Sequence, residues 1–329
     1  MPKMTMVQAL NLAMKQEMEK DDRVILLGED VGIDGGVFRV SDGLIDQFGE
    51  ERVIDTPVAE SGIAGMSIGM AVYGLRPIFE IQFSGFSYHC FHQIESHASR
   101  LRRRTQGNLS VPIVLRTPYG GGVRALEHHS ESREIFWANI PGLKMVIPSG
   151  PRNARALLIA AIRDPDPVIF YESKALYRAF REEVPQEEEI LRLGQSKIVR
   201  EGNDLTMIAY GAMLRPTLAA AEALAKEGIL AEVIDLLTIS PLDDTLFVSS
   251  VKKTGHAVVI HEAPQSFGPG AEIIARLVEK AFYYLEVPIA RVTGFDINIP
   301  LFAREHAYMP NVERILHAAR ELLAEPKII

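Results

Sequence analysis

Short apolar segments with strand character alternate along the chain with segments of helical periodicity. In the first part of the chain the strand candidates are VILLGED (24–30), RVID (52–55), PIFEIQF (77–83), PIVLRTP (112–118), KMVIP (144–148) and VIFYE (168–172). Four more, in DLTMIAYG, AEVIDL, HAVVIHEA and IARVTG, alternate with predicted helices over 214–226, 244–253, 270–282 and 311–323. This alternation predicts an α/β fold with a mostly parallel sheet and helices on both faces.

An acid-rich stretch over 178–192, which contains EEVPQEEE, separates the two groups of strands. Polar stretches of this kind mark domain boundaries, so we predict a first domain over 1–190 and a smaller α/β domain over 191–329. With 329 residues the chain is long enough for each domain to bury its own core.

Composition excludes several classes of protein. The net charge of −8 argues against a nucleic-acid binder, because phosphate contacts dominate that affinity. The single cysteine, Cys90, rules out an internal disulfide and indicates a reducing compartment. The N-terminal segment resembles a helix rather than a secretory signal, and the apolar run after Glu60 is too short and too rich in glycine to span a membrane. We therefore expect a cytoplasmic protein, or a matrix protein if the chain is organellar.

The stretch Asp55–Gly74, DTPVAESGIAGMSIGMAVYG, carries one carboxylate after Asp55, which is Glu60. We interpret the stretch as a buried helix with Glu60 in its first turn, because Pro57 and Ser61 suit a helix start. An acid among apolar residues is costly unless it has a role. The alternative is a carboxylate that only complements the helix dipole.

Other candidate residues lie at strand ends and in one long loop. Glu29 and Asp30 follow a predicted strand, where open parallel sheets place their chemistry, although a solvated turn is the alternative. The loop over 120–132 has three glycines and the pair His128 and His129, and loops of this length usually carry function. Three further histidines, on a predicted helix over 87–103, do not continue one face, which favours ordinary histidines over a metal site.

Ten strings in register resemble one family, the beta subunit of the decarboxylating component of 2-oxo acid dehydrogenase complexes. They are LGEDVG, DTPVAESGIAG, FEIQF, TPYGGG, HHSES, PGLKMVIPSGP, VIFYE, TISPLDD, KKTGHAVVIHEA and PNVERI. The resemblance implies a transketolase-like fold, with a domain that binds the pyrimidine of thiamine diphosphate and a transketolase C-terminal-type domain. The implied activity is oxidative decarboxylation of pyruvate or a branched-chain 2-oxo acid, followed by reductive acylation of a lipoyl group.

The resemblance also implies roles for individual residues. Glu60 matches the family acid that hydrogen-bonds the far nitrogen of the cofactor's aminopyrimidine ring, and His129 matches the catalytic histidine just before a serine. Glu29, Val58 and Phe86 match residues beside the cofactor, with Phe86 packing on the pyrimidine. His128 is not part of the family pattern, His89 stands where some relatives have an acid, and HHSES differs from the common HSQS form.

The sequence lacks the GDG motif with which such enzymes hold magnesium and the diphosphate. By resemblance, an alpha subunit holds the Mg²⁺ in an α2β2 heterotetramer, and the second domain serves beta-beta contacts and binding to the lipoyl-bearing acyltransferase core. A family potassium site formed by backbone carbonyls falls on residues near two strand ends, namely Val111, Ile113, Val114, Ala161, Asp164 and Asp166.

Several alternatives stay open. An acetoin dehydrogenase beta subunit, or half of a transketolase or deoxyxylulose phosphate synthase, shares the fold and the acid at position 60. A non-catalytic scaffold is a further alternative, since a fold does not establish activity. A nucleotide-binding glycine loop fits poorly, because Gly120–Gly122 does not match GxGxxG. The choice between pyruvate and branched-chain substrates is open as well.

Overall fold

The computed structural model describes residues 1–327. Two compact units are present: the first comprises Met1–Tyr119 and Phe136–Leu193, and the second comprises Gly120–Ile135 and the chain from Gly194 onward. The predicted division keeps 1–190 together, whereas the loop 120–135 groups with the second unit. The physical reason is that backbone N–H groups of this loop donate to Glu262 and Glu305 of the later chain.

The first unit is built on a parallel sheet. Its strands are β1 (Lys3–Met4), β2 (Val24–Gly28), β3 (Val53–Asp55), β4 (Arg76–Glu80), β5 (Val114–Tyr119), β6 (Lys144–Val146), β7 (Val168–Ser173) and β8 (Glu182–Glu183). Six of them pair in parallel in the order β6-β7-β5-β4-β2-β3, and β1 and β8 form a separate antiparallel pair. Strands β2, β5 and β7 are buried along their whole length, as expected of a sheet covered on both faces.

Helices connect these strands. They are α1 (Met6–Lys20), α2 (Leu44–Phe48), α3 (Glu60–Val72), α4 (Phe91–Gln93), α5 (Ser99–Arg104), α6 (Ile135–Ala138) and α7 (Pro151–Arg163). Helix α1 begins with a capping box, in which Thr5 and Gln8 satisfy each other's free backbone N–H groups. Helix α7 begins with Pro151, whose missing N–H costs nothing in the first turn.

The predicted helix over 87–103 is interrupted. A 3-10 helix at Phe86–Cys90 leads into α4, and a π-helical turn at Ile94–Ala98 separates α4 from α5. This turn inserts an extra residue, which brings the rings of His92 and His97 within 5.5 Å of each other, centroid to centroid. The expectation that His97 does not share a helical face with the preceding histidines is therefore wrong for His92.

The second unit has its own five-stranded sheet. Its strands are β9 (Lys197–Arg200), β10 (Leu205–Ala209), β11 (Ala231–Asp235), β13 (Ala257–Pro264) and β14 (Ala290–Gly294), with the short β12 (Thr238–Ser240) outside this sheet. The order is β14-β13-β10-β11-β9, and only β9 runs antiparallel to its neighbour. The helices are α8 (Leu214–Lys226), α9 (Thr245–Thr254), α10 (Pro269–Ala281), α11 (Glu305–Tyr308) and α12 (Val312–Ala324). The two sheets confirm the predicted α/β class.

No helix in residues 1–327 combines the length and the apolar composition needed to cross a membrane.

Candidate active site

Three of the predicted site residues of the first unit follow the carboxyl ends of adjacent strands. Glu29 comes directly after β2, Glu60 is the first residue of α3 after β3, and Phe86 follows β4. Because β3, β2 and β4 are parallel neighbours, their carboxyl ends lie at the same edge of the sheet. This is the edge at which open α/β sheets bind ligands.

The turn after β2 is held by Asp55, the last residue of β3. Its two carboxylate oxygens accept the N–H groups of Gly32 and Ile33, at 2.6 and 3.1 Å. Gly36 has φ +81°, and a Cβ there would lie 3.2 Å from Oε1 of Glu80. A residue without a side chain is therefore required where the turn passes the end of β4.

Glu29 is a buried acid at this edge. Its side chain is 4% exposed, and Oε1 lacks a hydrogen-bond partner within residues 1–327. Burial raises the pKa of the Glu29 carboxyl, and the nearby charges of Glu60 and Asp30 raise it further. The carboxyl groups of Glu29 and Glu60 therefore interact electrostatically, and Glu29 holds its proton more readily than an isolated acid does.

Helix α3 is more open than its sequence predicts. Glu60 is half-buried, and Ser61, Gly62 and Met66 are exposed on the same helix. A Cβ at Gly69 would contact nothing described within 4 Å, and Gly62 and Gly65 meet only side chains, at 3.7 and 3.9 Å. The prediction that this stretch lies inside the protein is wrong for this chain by itself, because an apolar face of α3 remains uncovered.

The two apolar candidates differ in environment. Phe86 is half-buried and packs edge-on against Phe83, with ring centroids 5.7 Å apart. Val58 is 80% exposed, just before α3. Phe86 is thus fixed by the protein, whereas Val58 is available to a ligand or another chain.

A buried ionic cluster, which was not predicted from the sequence, lies in the same sheet. Arg116 on β5 pairs with Glu172 on β7 and with Glu80 on β4, and all three side chains are at most 3% exposed. The Tyr177 hydroxyl donates to Glu172 at 2.7 Å. The signal was visible in the sequence as one charge inside each of three apolar strands, FEIQF, PIVLRTP and VIFYE.

The second unit carries the histidine loop, which we define as residues 120–132. A 3-10 turn at Glu127–His129 exposes His128 and leaves His129 half-buried. The two serines that follow in the HHSES string, Ser130 and Ser132, are buried. The Ser130 N–H donates to the Glu127 carbonyl at 2.9 Å. His129 is thus presented on a short, hydrogen-bonded turn.

At least four of the six carbonyls predicted for potassium already accept hydrogen bonds. Those of Val111, Ile113 and Ala161 accept backbone N–H groups, and that of Asp164 accepts from Arg76. A carbonyl has two lone pairs, so these oxygens can still bind a cation, and the site stays a prediction. Across residues 1–327, no group of three or more His, Cys, Asp or Glu side chains is arranged to hold a metal ion.

Comparisons with known proteins place this geometry in a class. The model for "Transketolase, pyrimidine binding domain" matches residues 2–179, and that for "Transketolase, C-terminal domain" matches 194–315. A solved chain titled "Split gene transketolase, inactive beta4 tetramer" superposes with a TM-score of 0.81 at 21% identity, covering 98% of this chain and 99% of that one. The fold and the strand-edge site therefore define a two-domain protein of the transketolase class.

Proteins of similar sequence identify the family within this class. The pyruvate dehydrogenase E1 component subunit beta of Acholeplasma laidlawii is 50% identical over 97% of each chain. The protein of the same name from Staphylococcus epidermidis is 49% identical, over 98% of this chain and 99% of that one. The chain belongs to the family of beta subunits of the decarboxylating E1 component of 2-oxo acid dehydrogenase complexes.

Proposed function

We propose that this chain, together with an alpha subunit, catalyses the thiamine diphosphate-dependent oxidative decarboxylation of pyruvate and the reductive acylation of a lipoyl group. The observation that carries the proposal is the pair Glu29 and Glu60 at the carboxyl edge of a pyrimidine-binding domain. The identity of about 50% to pyruvate dehydrogenase beta subunits favours pyruvate over branched-chain acids.

The residues at this edge fit the pyrimidine end of the cofactor. Glu60 opens α3 with a half-buried carboxyl group that is free to hydrogen-bond a ring nitrogen, and Phe86 offers an aromatic surface held by Phe83. Glu29 has a buried oxygen without a partner in residues 1–327, which a polar ring substituent would satisfy. When bound, thiamine diphosphate supplies the carbon nucleophile and electron sink for decarboxylation.

The environment of Glu29 favours the protonated form of its carboxyl group relative to an isolated acid. Because the pKa of Glu29 is raised by burial and by the charge of Glu60, Glu29 holds its proton to a higher pH than an isolated acid. His129, on its fixed turn, would hold or transfer a proton near the substrate at neutral pH.

The uncovered face of α3 supports an obligatory partner. Val58, Met66, Val72 and Tyr73 are 80, 41, 39 and 94% exposed, although they are apolar or aromatic. A row of exposed apolar side chains next to a site indicates a protein interface. We propose that an alpha subunit covers this face in an α2β2 assembly and holds the magnesium and the diphosphate there. The same assembly would bind the acyltransferase core in the cytoplasm, where a chain with one unpaired cysteine is stable.

The test is 2-oxo acid-dependent reduction of an artificial electron acceptor. The chain would be purified alone and coexpressed with the alpha subunit, with thiamine diphosphate and Mg²⁺, and with or without K⁺. Pyruvate, the three branched-chain acids and acetoin would be compared, since acetoin distinguishes the nearest alternative. We expect activity with pyruvate only in the coexpressed sample, and transfer of the acyl group to an isolated lipoyl domain.

Glu60→Gln should lower this activity by 10²-fold or more, the usual contribution of a positioned acid. Glu51→Gln is the control, because Glu51 is exposed before β3. Activity of the chain alone, or of Glu60→Gln at the wild-type rate, would contradict the proposal. A coexpressed pair that binds cofactor but acts on none of the five substrates would favour the non-catalytic scaffold.

A further inference from the structure

We propose that two buried glutamates of the second unit, Glu262 and Glu305, are positioning residues that hold the histidine loop and thereby place His129. The inference rests on the proposed function of His129, but the contacts that carry it are independent of that function. Neither glutamate belongs to the loop: Glu262 lies on β13, and Glu305 begins α11.

Glu305 holds the loop at two points. Its Oε1 accepts the N–H of Gly122 at 3.0 Å, and its Oε2 accepts the N–H of Arg124 at 2.9 Å. Arg124 has φ +56°, a backbone conformation that is uncommon for non-glycine residues. Glu305 is 3% exposed and both hydrogen bonds are part-buried, so water competes with them less than at an open surface.

Glu262 holds the adjacent residue. Its Oε2 accepts the N–H of Gly121 at 2.9 Å, and a Cβ at Gly120 would lie 2.8 Å from both of its carboxylate oxygens. Gly120 has φ +82°. The backbone therefore passes directly over the Glu262 carboxylate, which is 3% exposed, and a glycine is required there.

The other end of the loop is fixed as well. The N–H of Gly120 donates to the carbonyl of Glu131 at 3.2 Å, which closes the loop, and Tyr210 donates to Glu134 just beyond it at 3.3 Å. His129 lies between these two fixed ends, and its own backbone N–H donates to the Leu126 carbonyl at 2.9 Å. Loss of the hydrogen bonds at either end would leave the His129 imidazole on a flexible segment.

The negative charge of the Glu262 and Glu305 carboxylates strengthens their hydrogen bonds to the loop. Hydrogen bonds from N–H groups to an ionised carboxylate are about twice as strong as those to a neutral acceptor. A glutamine at position 305 keeps one acceptor oxygen but loses the second one and the charge. Since Glu305 accepts N–H groups of the loop backbone through both oxygens, we expect Glu305→Gln to release the loop.

The experiment measures hydrogen-deuterium exchange of peptides spanning 120–132, together with kcat, KM for pyruvate and the Kd for thiamine diphosphate, in the coexpressed assembly. The variants are Glu305→Gln and Glu262→Gln, with Glu279→Gln as the control because Glu279 is exposed on α10. Gly121→Ala is a second way to disturb the same anchors, because its Cβ would lie 2.9 Å from Met309 Sδ and 3.2 Å from Glu305 Oε1.

We expect exchange of the loop to rise at least 10-fold in Glu305→Gln and kcat to fall about 10-fold, with the cofactor Kd unchanged. Unchanged exchange would overturn the proposal, and so would faster exchange at an unchanged kcat. If Glu305→Gln does not fold, the same readouts on Gly121→Ala decide. A wild-type assembly inactive with every acid would instead overturn the proposed function, while the exchange data would still show whether the glutamates hold the loop.

Discussion

Arg116 and Glu172 form a two-point ion pair between adjacent strands, with Nε to Oε1 at 2.7 Å and Nη2 to Oε2 at 2.9 Å. A second carboxylate, Glu80, accepts from Arg116 Nη1 at 2.9 Å, so one guanidinium serves two buried acids. Burial by itself lowers the pKa of Arg116, but the charges of Glu172 and Glu80 outweigh it and raise that pKa. The cation is therefore needed to keep both carboxyl groups in the sheet.

Replacing Arg116 with Met should destabilise the chain by about 3–5 kcal/mol, because two buried acids would lose their only cation within this cluster. Chemical denaturation of both proteins at neutral pH measures the difference. Arg100→Met is the control, since Arg100 pairs with Glu95 at the surface and should contribute at most about 1 kcal/mol. Equal losses for the two variants would contradict this account.

The Glu134 carboxyl group should make the free energy of unfolding decrease as the pH rises. Burial raises the pKa of this carboxyl from 4.5 to about 8, and the charge of Glu262 contributes to the rise. Because the folded state keeps the proton that the unfolded state loses, the stabilisation is complete below about pH 4.5 and is lost as the pH rises to about 8. The melting temperature of Glu134→Gln minus that of wild type should therefore increase from pH 5 to pH 8 and then level off. A difference independent of pH would rule out this titration.

Two glycines test steric strain in the first unit. Gly142 has φ +92°, and a Cβ there would lie 2.3 Å from the Ser99 carbonyl oxygen. Gly107 has φ +88°, but nothing described lies within 4 Å of its Cβ position. Gly107→Ala should cost about 1–2 kcal/mol for the left-handed backbone alone, and Gly142→Ala should cost distinctly more. Thermal denaturation of the two variants compares them, and equal losses would show that the backbone around Ser99 can yield.

Cys90 should be unreactive in the folded chain. Burial raises the pKa of its thiol from 9.0 to about 12, with a further contribution from the charge of Glu60. At pH 8 this lowers the thiolate fraction by roughly a thousandfold, and the thiolate is the reactive form. Iodoacetamide should leave Cys90 unmodified in the native protein and alkylate it in 6 M guanidinium. Rapid labelling of the native chain would show that the segment Phe86–Cys90 opens readily.

Much of the fold could be predicted from periodicity. Helix α8 was predicted at its observed bounds, because its apolar period and the strands on either side agree. The helix over 87–103 was predicted as continuous, since the extra residue of a π-helical turn leaves no compositional mark. Strand β9 was not predicted, because a half-exposed edge strand such as KIVR lacks a clear apolar run.

The sequence predicts those site residues that lie next to predicted strands in the chain. Glu29 and Glu60 lie next to strands whose carboxyl ends must share an edge, so their neighbourhood follows from the α/β pattern. The partners of Arg116 could not be assigned, because they depend on the strand order β7-β5-β4 rather than on sequence order. The anchors of the histidine loop lie more than 140 residues away from Gly121 and Gly122, beyond any local pattern.

That separation sets an order of events during synthesis. Gly121 and Gly122 leave the ribosome when Glu262 and Glu305 have yet to be made, 141 and 183 positions later in the chain. At translation rates of about 5–20 residues per second, the nascent loop waits roughly 10 to 40 s for its two carboxylates. The strands of the first sheet are synthesised well before this. The segment that carries His129 is therefore among the last parts of the nascent chain to reach its folded conformation.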